Sequence, residues 1–132
     1  MKGLVNIAVV LLVTTSMFAC CRPDETEVGG KGGNATLKVT PQHHGKDIPN
    51  SKVMIKYNTQ ELPSAYDEEV STTNENGKPV ATFTSLKKGN YYIYAKGYDS
   101  SIGQDVVGGI PYTVTVENTQ NITVPVTEGQ HL

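Results

Sequence analysis

The chain has 132 residues, 37% of them hydrophobic and none of them tryptophan, so it has room for one domain with a modest core. Its formal net charge is −2, and the sequence has no basic run. The chain therefore lacks the positive charge with which most nucleic-acid-binding proteins contact phosphates. Arg22 is the single arginine and lies outside the predicted domain, which excludes chemistry that needs a guanidinium clamp there.

The N-terminal segment, residues 1–19, has the features of a secretory signal peptide. Lys2 precedes an apolar run over residues 4–13, which is shorter than the roughly 20 residues that span a bilayer. Ala19 directly before Cys20 resembles the signal of bacterial lipoproteins, in which the cysteine becomes the first mature residue and carries the lipid. We therefore predict lipidation at Cys20, with an ordinary signal peptide cut nearby, or Cys21 as the anchor, as the alternatives.

Residues 20–33 are predicted to form a flexible tether. The segment is polar, then acidic and then rich in glycine, and such a composition does not bury apolar surface. Acidic residues just after a lipidated cysteine resemble the surface-export signal of lipoproteins in the Bacteroidetes group. The expected location is the cell envelope, anchored by lipid in the outer membrane. These features are compatible with a domain on either face of that membrane.

A two-residue alternation of apolar and polar side chains over residues 34–127 predicts about seven short strands and no helix. Gly108, Gly109 and Pro111 predict a bulge or break in the sixth strand, and Pro125 predicts that the last one is an edge strand. Residues 128–132 are predicted to be frayed. The strands are predicted at 34–40, 51–59, 70–73, 80–86, 91–96, 105–116 and 121–127, with inward rows Leu37/Val39, Val53/Ile55/Tyr57, Tyr91/Ile93/Ala95, Tyr112/Val114/Val116 and Ile122/Val124/Val126.

The stretch from Thr73 to Asp99 carries the most specific pattern in the chain. It reads T-x-x-x-G, an apolar strand, and then L-x-x-G-x-Y-x-I-x-A. This order resembles the carboxypeptidase-regulatory-like, or prealbumin (transthyretin)-like, family. The resemblance covers residues 34–127 and implies an all-β, antiparallel Greek-key β-sandwich of about seven strands, whereas patterning alone does not separate that topology from an immunoglobulin-like one. Such motifs specify a fold better than an activity.

The predicted domain lacks the sequence signatures of common enzymes. It has no cysteine, no G-x-S-x-G elbow, no P-loop and no G-x-G-x-x-G. Transthyretin-like relatives that hydrolyse 5-hydroxyisourate end in Tyr-Arg-Gly-Ser, whereas this chain ends in Glu-Gly-Gln-His-Leu. The resemblance therefore implies a non-enzymatic protein without a cofactor, and a degenerate hydrolase is a remote alternative.

One grouping in the sequence has the residue types of a metal site, namely His43 and His44 with Asp47. Structural sites normally take four ligands, so we expect these side chains to be exposed in a loop, and we expect no bound metal. Asp99 and Asp105 lack the spacing of a calcium loop and are expected on a solvated surface.

Two surfaces are candidates for binding a partner. Tyr92 and Tyr94 should lie on the outer face of their strand, where they can stack on sugars or anchor a protein, unless neighbouring side chains cover them. If strand directions alternate, alternate loops meet at the end opposite the tether, and such loops collect binding residues. The candidate binding residues are Tyr92, Tyr94, His43, His44, Asp47, Asp99 and Ser100.

These patterns favour a non-enzymatic, lipid-anchored envelope protein that presents a β-sandwich binding module. Its expected contacts are the membrane, through the lipid, and an envelope protein or glycan, but not nucleic acid. A structural accessory subunit of an outer-membrane transport or secretion assembly is the alternative.

Overall fold

The computed structural model describes residues 28–129, and every regular element in that range is a β-strand. No helix in that range is long and apolar enough to cross a bilayer. The ten strands are β1 (Lys31–His43), β2 (Lys46–Asp47), β3 (Lys52–Tyr57), β4 (Glu68–Ser71), β5 (Thr73–Glu75), β6 (Lys78–Leu86), β7 (Gly89–Asp99), β8 (Gln104–Val114), β9 (Thr119–Pro125) and β10 (Thr127–Glu128).

The strands form two five-stranded sheets that pack together as a β-sandwich, as predicted. The first sheet has the order β2-β1-β6-β5, with β9 also paired to β1, and the second has the order β10-β8-β7-β3-β4. The pairs are antiparallel except β1 with β9, which is parallel. β2, β5 and β10 are additional to the seven predicted strands, and each is two or three residues long. Pro125 is exposed on β9, which pairs only with β1 among residues 28–129, so the predicted edge strand is confirmed.

The core lies between the two sheets and is built from the predicted inward rows. Side chains at alternate positions point to one face of a strand, so each apolar row enters the same dry layer. Phe83 and Leu86 of β6 join this layer. Val116 is the exception to the prediction: it is 54% exposed, because β8 ends at Val114. The fully buried members include Leu37, Val39, Val53, Ile55, Tyr91, Ile93, Ala95 and Val124.

The predicted bulge in the sixth strand is wrong, because β7 and β8 pair in one unbroken register along their whole length. Instead, these two glycines allow other parts of the chain to lie close to the backbone of β8. A Cβ on Gly108 would collide with the carbonyl oxygen of Pro125, and one on Gly109 would lie 2.6 Å from the ring of Tyr92. Pro111 fits because β8 pairs with β10 only at Val106 and Val107, so its missing N–H faces no partner strand.

The folded domain extends beyond both predicted boundaries. β1 begins at Lys31, and Gly29 and Gly30 are buried, so part of the predicted tether belongs to the domain. The Gly30 N–H donates to the hydroxyl of Tyr91 at 2.8 Å. At the other end, Glu128 lies in β10, where a frayed segment was predicted. Cys20 and the rest of residues 1–27, together with residues 130–132, lie outside the described residues.

Tyr57 lies at the end of the core where the described chain begins. Its ring meets that of Tyr91 edge to face, with centroids 6.0 Å apart, and its hydroxyl donates to Glu68 at 2.6 Å. Burial, together with the hydrogen bond to Glu68 and the charge of that carboxylate, raises the pKa of Tyr57 well above its ordinary value. The folded protein therefore favours the neutral phenol over the ionised one more strongly than the unfolded chain does.

We expect the free energy of unfolding to fall as the pH rises above about 10, and to fall less steeply in Tyr57→Phe. Because the folded pKa is raised, the contribution of Tyr57 is complete below the unfolded pKa and is lost as the pH rises through the folded pKa. Urea unfolding of both proteins between about pH 8 and pH 12 measures the two slopes. Equal slopes would contradict this assignment.

Candidate functional site

Two groups of side chains are candidates for function. The first, which we call the distal cluster, consists of His43, His44, Asp99, Ser101 and Glu128. β1 and β7 lie in different sheets, and both run from the end that holds Gly30 and Tyr91 to the distal cluster. The cluster therefore lies at the end of the sandwich opposite the point where the described chain begins.

His43 and Asp99 form a buried pair at the centre of the distal cluster. Nδ1 of His43 lies 2.7 Å from Oδ2 of Asp99, and the two side chains are 3% and 4% exposed. The prediction that both are solvated is wrong, because β1 continues three residues past Thr40 and carries His43 inward. The strand alternation is the signal that could have found this pair, since His43 follows Leu37, Val39 and Pro41 in one row, and Asp99 follows Tyr91, Ile93, Ala95 and Gly97 in another.

Asp99 is held as a carboxylate by donors on three sides. Its Oδ1 accepts hydrogen bonds from the Ser101 hydroxyl at 2.6 Å and from the Ser101 N–H at 2.9 Å. Lys46 lies 3.9 Å from the same oxygen. The Ser101 hydroxyl, then His43 and the other donors, hold the pKa of Asp99 well below its usual range. Ser100, the predicted candidate, is exposed in the turn, and its neighbour Ser101 makes the contacts.

The second nitrogen of His43 meets Glu128 and His44. Nε2 is buried and has no hydrogen-bond partner among residues 28–129, and Oε2 of Glu128 lies 3.4 Å from it. The His44 and His43 rings have centroids 4.2 Å apart. One donor atom from each of the three residues lies within 4.8 Å of the others.

The predicted grouping of the two histidines with Asp47 is therefore replaced by one with Glu128. Asp47 lies in β2, where its carboxylate accepts a hydrogen bond from Gln42 at 2.7 Å. Glu128 was missed because it was predicted to be frayed and lies far from the histidines in sequence. His131, a further histidine, lies outside the described residues.

The loop arrangement that was predicted from strand directions is found at this end of the sandwich. The β1–β3 connection meets the β7–β8 turn through the His43–Asp99 pair. It also borders the β5–β6 turn across a cleft of about 190 Å³, whose lining includes Pro49, Asn50, Asn74 and Gly77. Of the candidate side chains that the loops bring together, His43 and Asp99 are enclosed, whereas His44 and Ser100 are exposed.

The second group, which we call the tyrosine face, consists of Tyr66, Tyr92 and Tyr94 on the outer side of the second sheet. Tyr94 stacks on Tyr66, with centroids 5.9 Å apart and an interplanar angle of 20°. Tyr92 lies against Gly109, where a Cβ would be 2.6 Å from its ring. The predicted outward orientation of Tyr92 and Tyr94 is confirmed, and both are half-buried by these neighbours.

Tyr66 belongs to the connection between β3 and β4, whose sequence shows no alternation. Gln60, at the start of this connection, donates to the hydroxyl of Thr113 on β8 at 2.7 Å, so the connection lies across the outer side of the sheet. Burial, with the neighbouring Tyr94 and Tyr92, raises the pKa of Tyr66. Leu62 lies between these two attachment points and is 66% exposed.

Comparison with known proteins adds no relative: no family model, no curated protein and no solved structure matches the chain.

Proposed function

We propose that this protein is a non-enzymatic binding module, anchored in the cell envelope by a lipid on Cys20, that captures a protein or glycan partner on its tyrosine face. The observation that carries the proposal is the stacked pair Tyr66–Tyr94, which is held in place before any partner arrives. Tyrosine rings supply large amphipathic contact areas for proteins and for sugars.

The rings of the tyrosine face are already packed against neighbouring groups, and such preorganisation favours binding. Tyr66 is attached through its stack on Tyr94, and Tyr92 is confined by the backbone at Gly109. Ordering a free side chain at an interface costs about 0.5–1.5 kcal/mol, and a ring that is already ordered avoids most of that cost. The exposed side chain of Leu62 adds apolar surface from the same connection.

The surroundings of the tyrosine face are polar and charged. Lys52 and Lys56 lie on the same face of β3 and form ion pairs with Glu69 at 3.5 Å and Asp67 at 3.4 Å. Lys96 follows Tyr94 on the same face of β7 and makes no ion pair within residues 28–129. An aromatic centre with a charged rim is the usual anatomy of a protein interface.

The distal cluster is less suited to capturing a large partner. His43 and Asp99, two of the candidate residues, are almost fully buried, so they cannot present their polar atoms to a macromolecule. Nδ1 of His43 and both carboxylate oxygens of Asp99 already have hydrogen-bond partners, in each other and in Ser101. This difference in accessibility favours the tyrosine face over the loops.

The envelope location and the family are further parts of the proposal. Ala19 before Cys20 and the acidic residues that follow support a lipid anchor. The prealbumin-like topology within the β-sandwich class is supported by the T-x-x-x-G and L-x-x-G-x-Y order around β6 and β7. An anchor at Cys20 would attach the domain to the membrane through the end opposite the distal cluster, where the described residues begin.

Crosslinking in cells that express the chain, followed by mass spectrometry, tests this function alongside a glycan array probed with the purified protein. We expect Tyr66→Ala and Tyr94→Ala each to weaken capture about tenfold or more, which corresponds to about 1.4 kcal/mol. Tyr98→Ala is the matched control, since Tyr98 is an exposed tyrosine on the same strand and the same sheet face, four residues beyond Tyr94 and not part of the Tyr66–Tyr94 stack.

Thermal unfolding of each variant separates lost contacts from lost folding. Unchanged capture by both folded variants would remove the tyrosine face from consideration. Whether a crosslinked protein or an array glycan is lost identifies the class of partner.

In the same cells, Cys20→Ala is expected to lose palmitate label and membrane attachment, and a retained label would refute the anchor.

A further inference from the structure

The distal cluster contains a buried nitrogen that the binding function does not use. From it we propose that His43, His44 and Glu128 bind a divalent late transition-metal cation, represented by Zn²⁺. This inference is independent of the tyrosine face and of any macromolecular partner. It rests on the environment of Nε2 of His43, on the chemistry of the three donors and on the role of Asp99.

Nε2 of His43 is buried without a hydrogen bond among electron-rich neighbours. The side chain is 3% exposed, and Nδ1 lies 2.7 Å from the Asp99 carboxylate, which accepts its proton in a hydrogen bond. In the neutral ring, the other nitrogen then carries a lone pair, and Oε2 of Glu128 lies 3.4 Å from it. A lone pair beside a carboxylate calls for a cation between them, which is either a proton on Nε2 or a metal ion.

The donor set favours a metal of the zinc type. Two imidazoles and one carboxylate offer atoms within 4.8 Å of one another. Zn–N and Zn–O bonds of about 2.0–2.2 Å require donors roughly 3.4 Å apart, so a modest closure brings the three donors to tetrahedral spacing and leaves the fourth position for water. His44 and Glu128 are exposed side chains and are free to turn inward, while His43 is fixed. Imidazole nitrogen suits zinc, copper and nickel better than calcium or magnesium.

Asp99 is the positioning residue of this site. Metal-binding histidines usually donate their second N–H to a carboxylate or carbonyl, which fixes the tautomer and the orientation of the ring. Asp99 performs this role for His43 and is itself held by two hydrogen bonds from Ser101. The hydrogen bonds from Ser101 to Asp99 and from His43 to Asp99 therefore fix the His43 ring with Nε2 near the other two donors.

The position of the three ligands predicts a structural effect. His43 ends β1 in the first sheet, and Glu128 ends β10 in the second. A bound ion would link the two sheets at the distal end and hold the short strand β10 in place. Binding to the folded state alone raises stability by mass action, so the cation should raise the Tm.

Calorimetric titration of the chelator-treated full-length chain with Zn²⁺ tests the site. We expect one ion per chain, a Tm rise of several degrees, and at least tenfold weaker binding in both His44→Ala and Glu128→Gln. Both side chains are exposed, so these variants should fold. Asp47→Asn is the control and should bind like the wild type. Asp99→Asn should weaken binding about 10–100-fold while keeping one ion per chain.

Three outcomes would overturn the proposal. The first is the absence of saturable zinc binding. The second is zinc binding at other residues. Binding that survives both His44→Ala and Glu128→Gln would show this, and so would binding that is abolished by His131→Ala. The third is an NMR spectrum in which His43 is an imidazolium at neutral pH and keeps both protons when zinc is added, since a proton would then be the cation between Nε2 and Glu128.

Discussion

Replacing Tyr91 by alanine is expected to remove about 3–5 kcal/mol from the free energy of unfolding. The ring is fully buried in the core and packs edge to face against Tyr57. Its removal leaves a cavity that the two sheets cannot close, because both are braced by their strand pairs. Since domains of this size are stable by about 5–15 kcal/mol, this loss is a large fraction of the total stability.

The Tyr91 hydroxyl adds a separate contribution. It donates to the carbonyl of Lys87 at 2.6 Å and accepts from the N–H of Gly30 at 2.8 Å. Tyr91→Phe leaves both backbone groups without this partner, and we expect a loss of about 1–3 kcal/mol. Hydrogen exchange at Gly30 should rise in that variant, because its N–H no longer has an acceptor.

Urea unfolding measures both Tyr91 variants against Tyr98→Ala. Tyr98 lies on the same strand and is 53% exposed, so its removal should change the free energy of unfolding by less than about 0.5 kcal/mol. A Tyr91→Ala variant as stable as the Tyr98→Ala control would contradict the enclosed position of Tyr91 and, with it, the assignment of the inward rows.

Gly108→Ala is expected to cost about 1–3 kcal/mol or more, although it adds one methyl group. The added Cβ would collide with the carbonyl oxygen of Pro125 and lie 3.0 Å from Cα of Val126. These are backbone atoms of the segment in which the chain crosses from the first sheet to the second, so no side-chain rotation can relieve the contact. The crossing must move away from β8.

The same displacement should reach the distal cluster, because Glu128 follows Val126 by two residues. Hydrogen exchange over residues 127–129 should therefore increase in Gly108→Ala, alongside a lower urea midpoint. Gly129→Ala is the matched control, since a Cβ there would lie 3.9 Å from its nearest neighbour, the carbonyl oxygen of Asp105. Equal midpoints for the two variants would show that the crossing does not lie against β8.

The sequence predicted the faces of the strands well because that information is local. Leu37, Ile55, Ile93 and Val124 were assigned to the core from a two-residue period and are fully buried. The period failed where turn residues masked it. The prolines around His43 suggested a loop, although the inward row continues through Pro41 to His43.

Glycine and proline were the other source of error. Gly108 and Gly109 suggested a break in a strand, because glycine is costly in a strand and common at bulges. The strand is continuous, and the glycines are there because other parts of the chain come close. Which parts those are, the crossing at Pro125 and the ring of Tyr92, depends on how the strands are arranged in space.

The sequence by itself determined the β-sandwich class, the inward rows and the outward position of Tyr92 and Tyr94, since each follows from the alternation along one strand. The tertiary structure alone decided that His43 meets Asp99, 56 residues away, and Glu128, and that Tyr66 covers Tyr94. Such contacts join strands of different sheets, or a strand and an irregular connection, and no local period encodes the partner. Each proposed site therefore joins strand residues to residues outside the predicted strands, and the strand pattern could not bring them together.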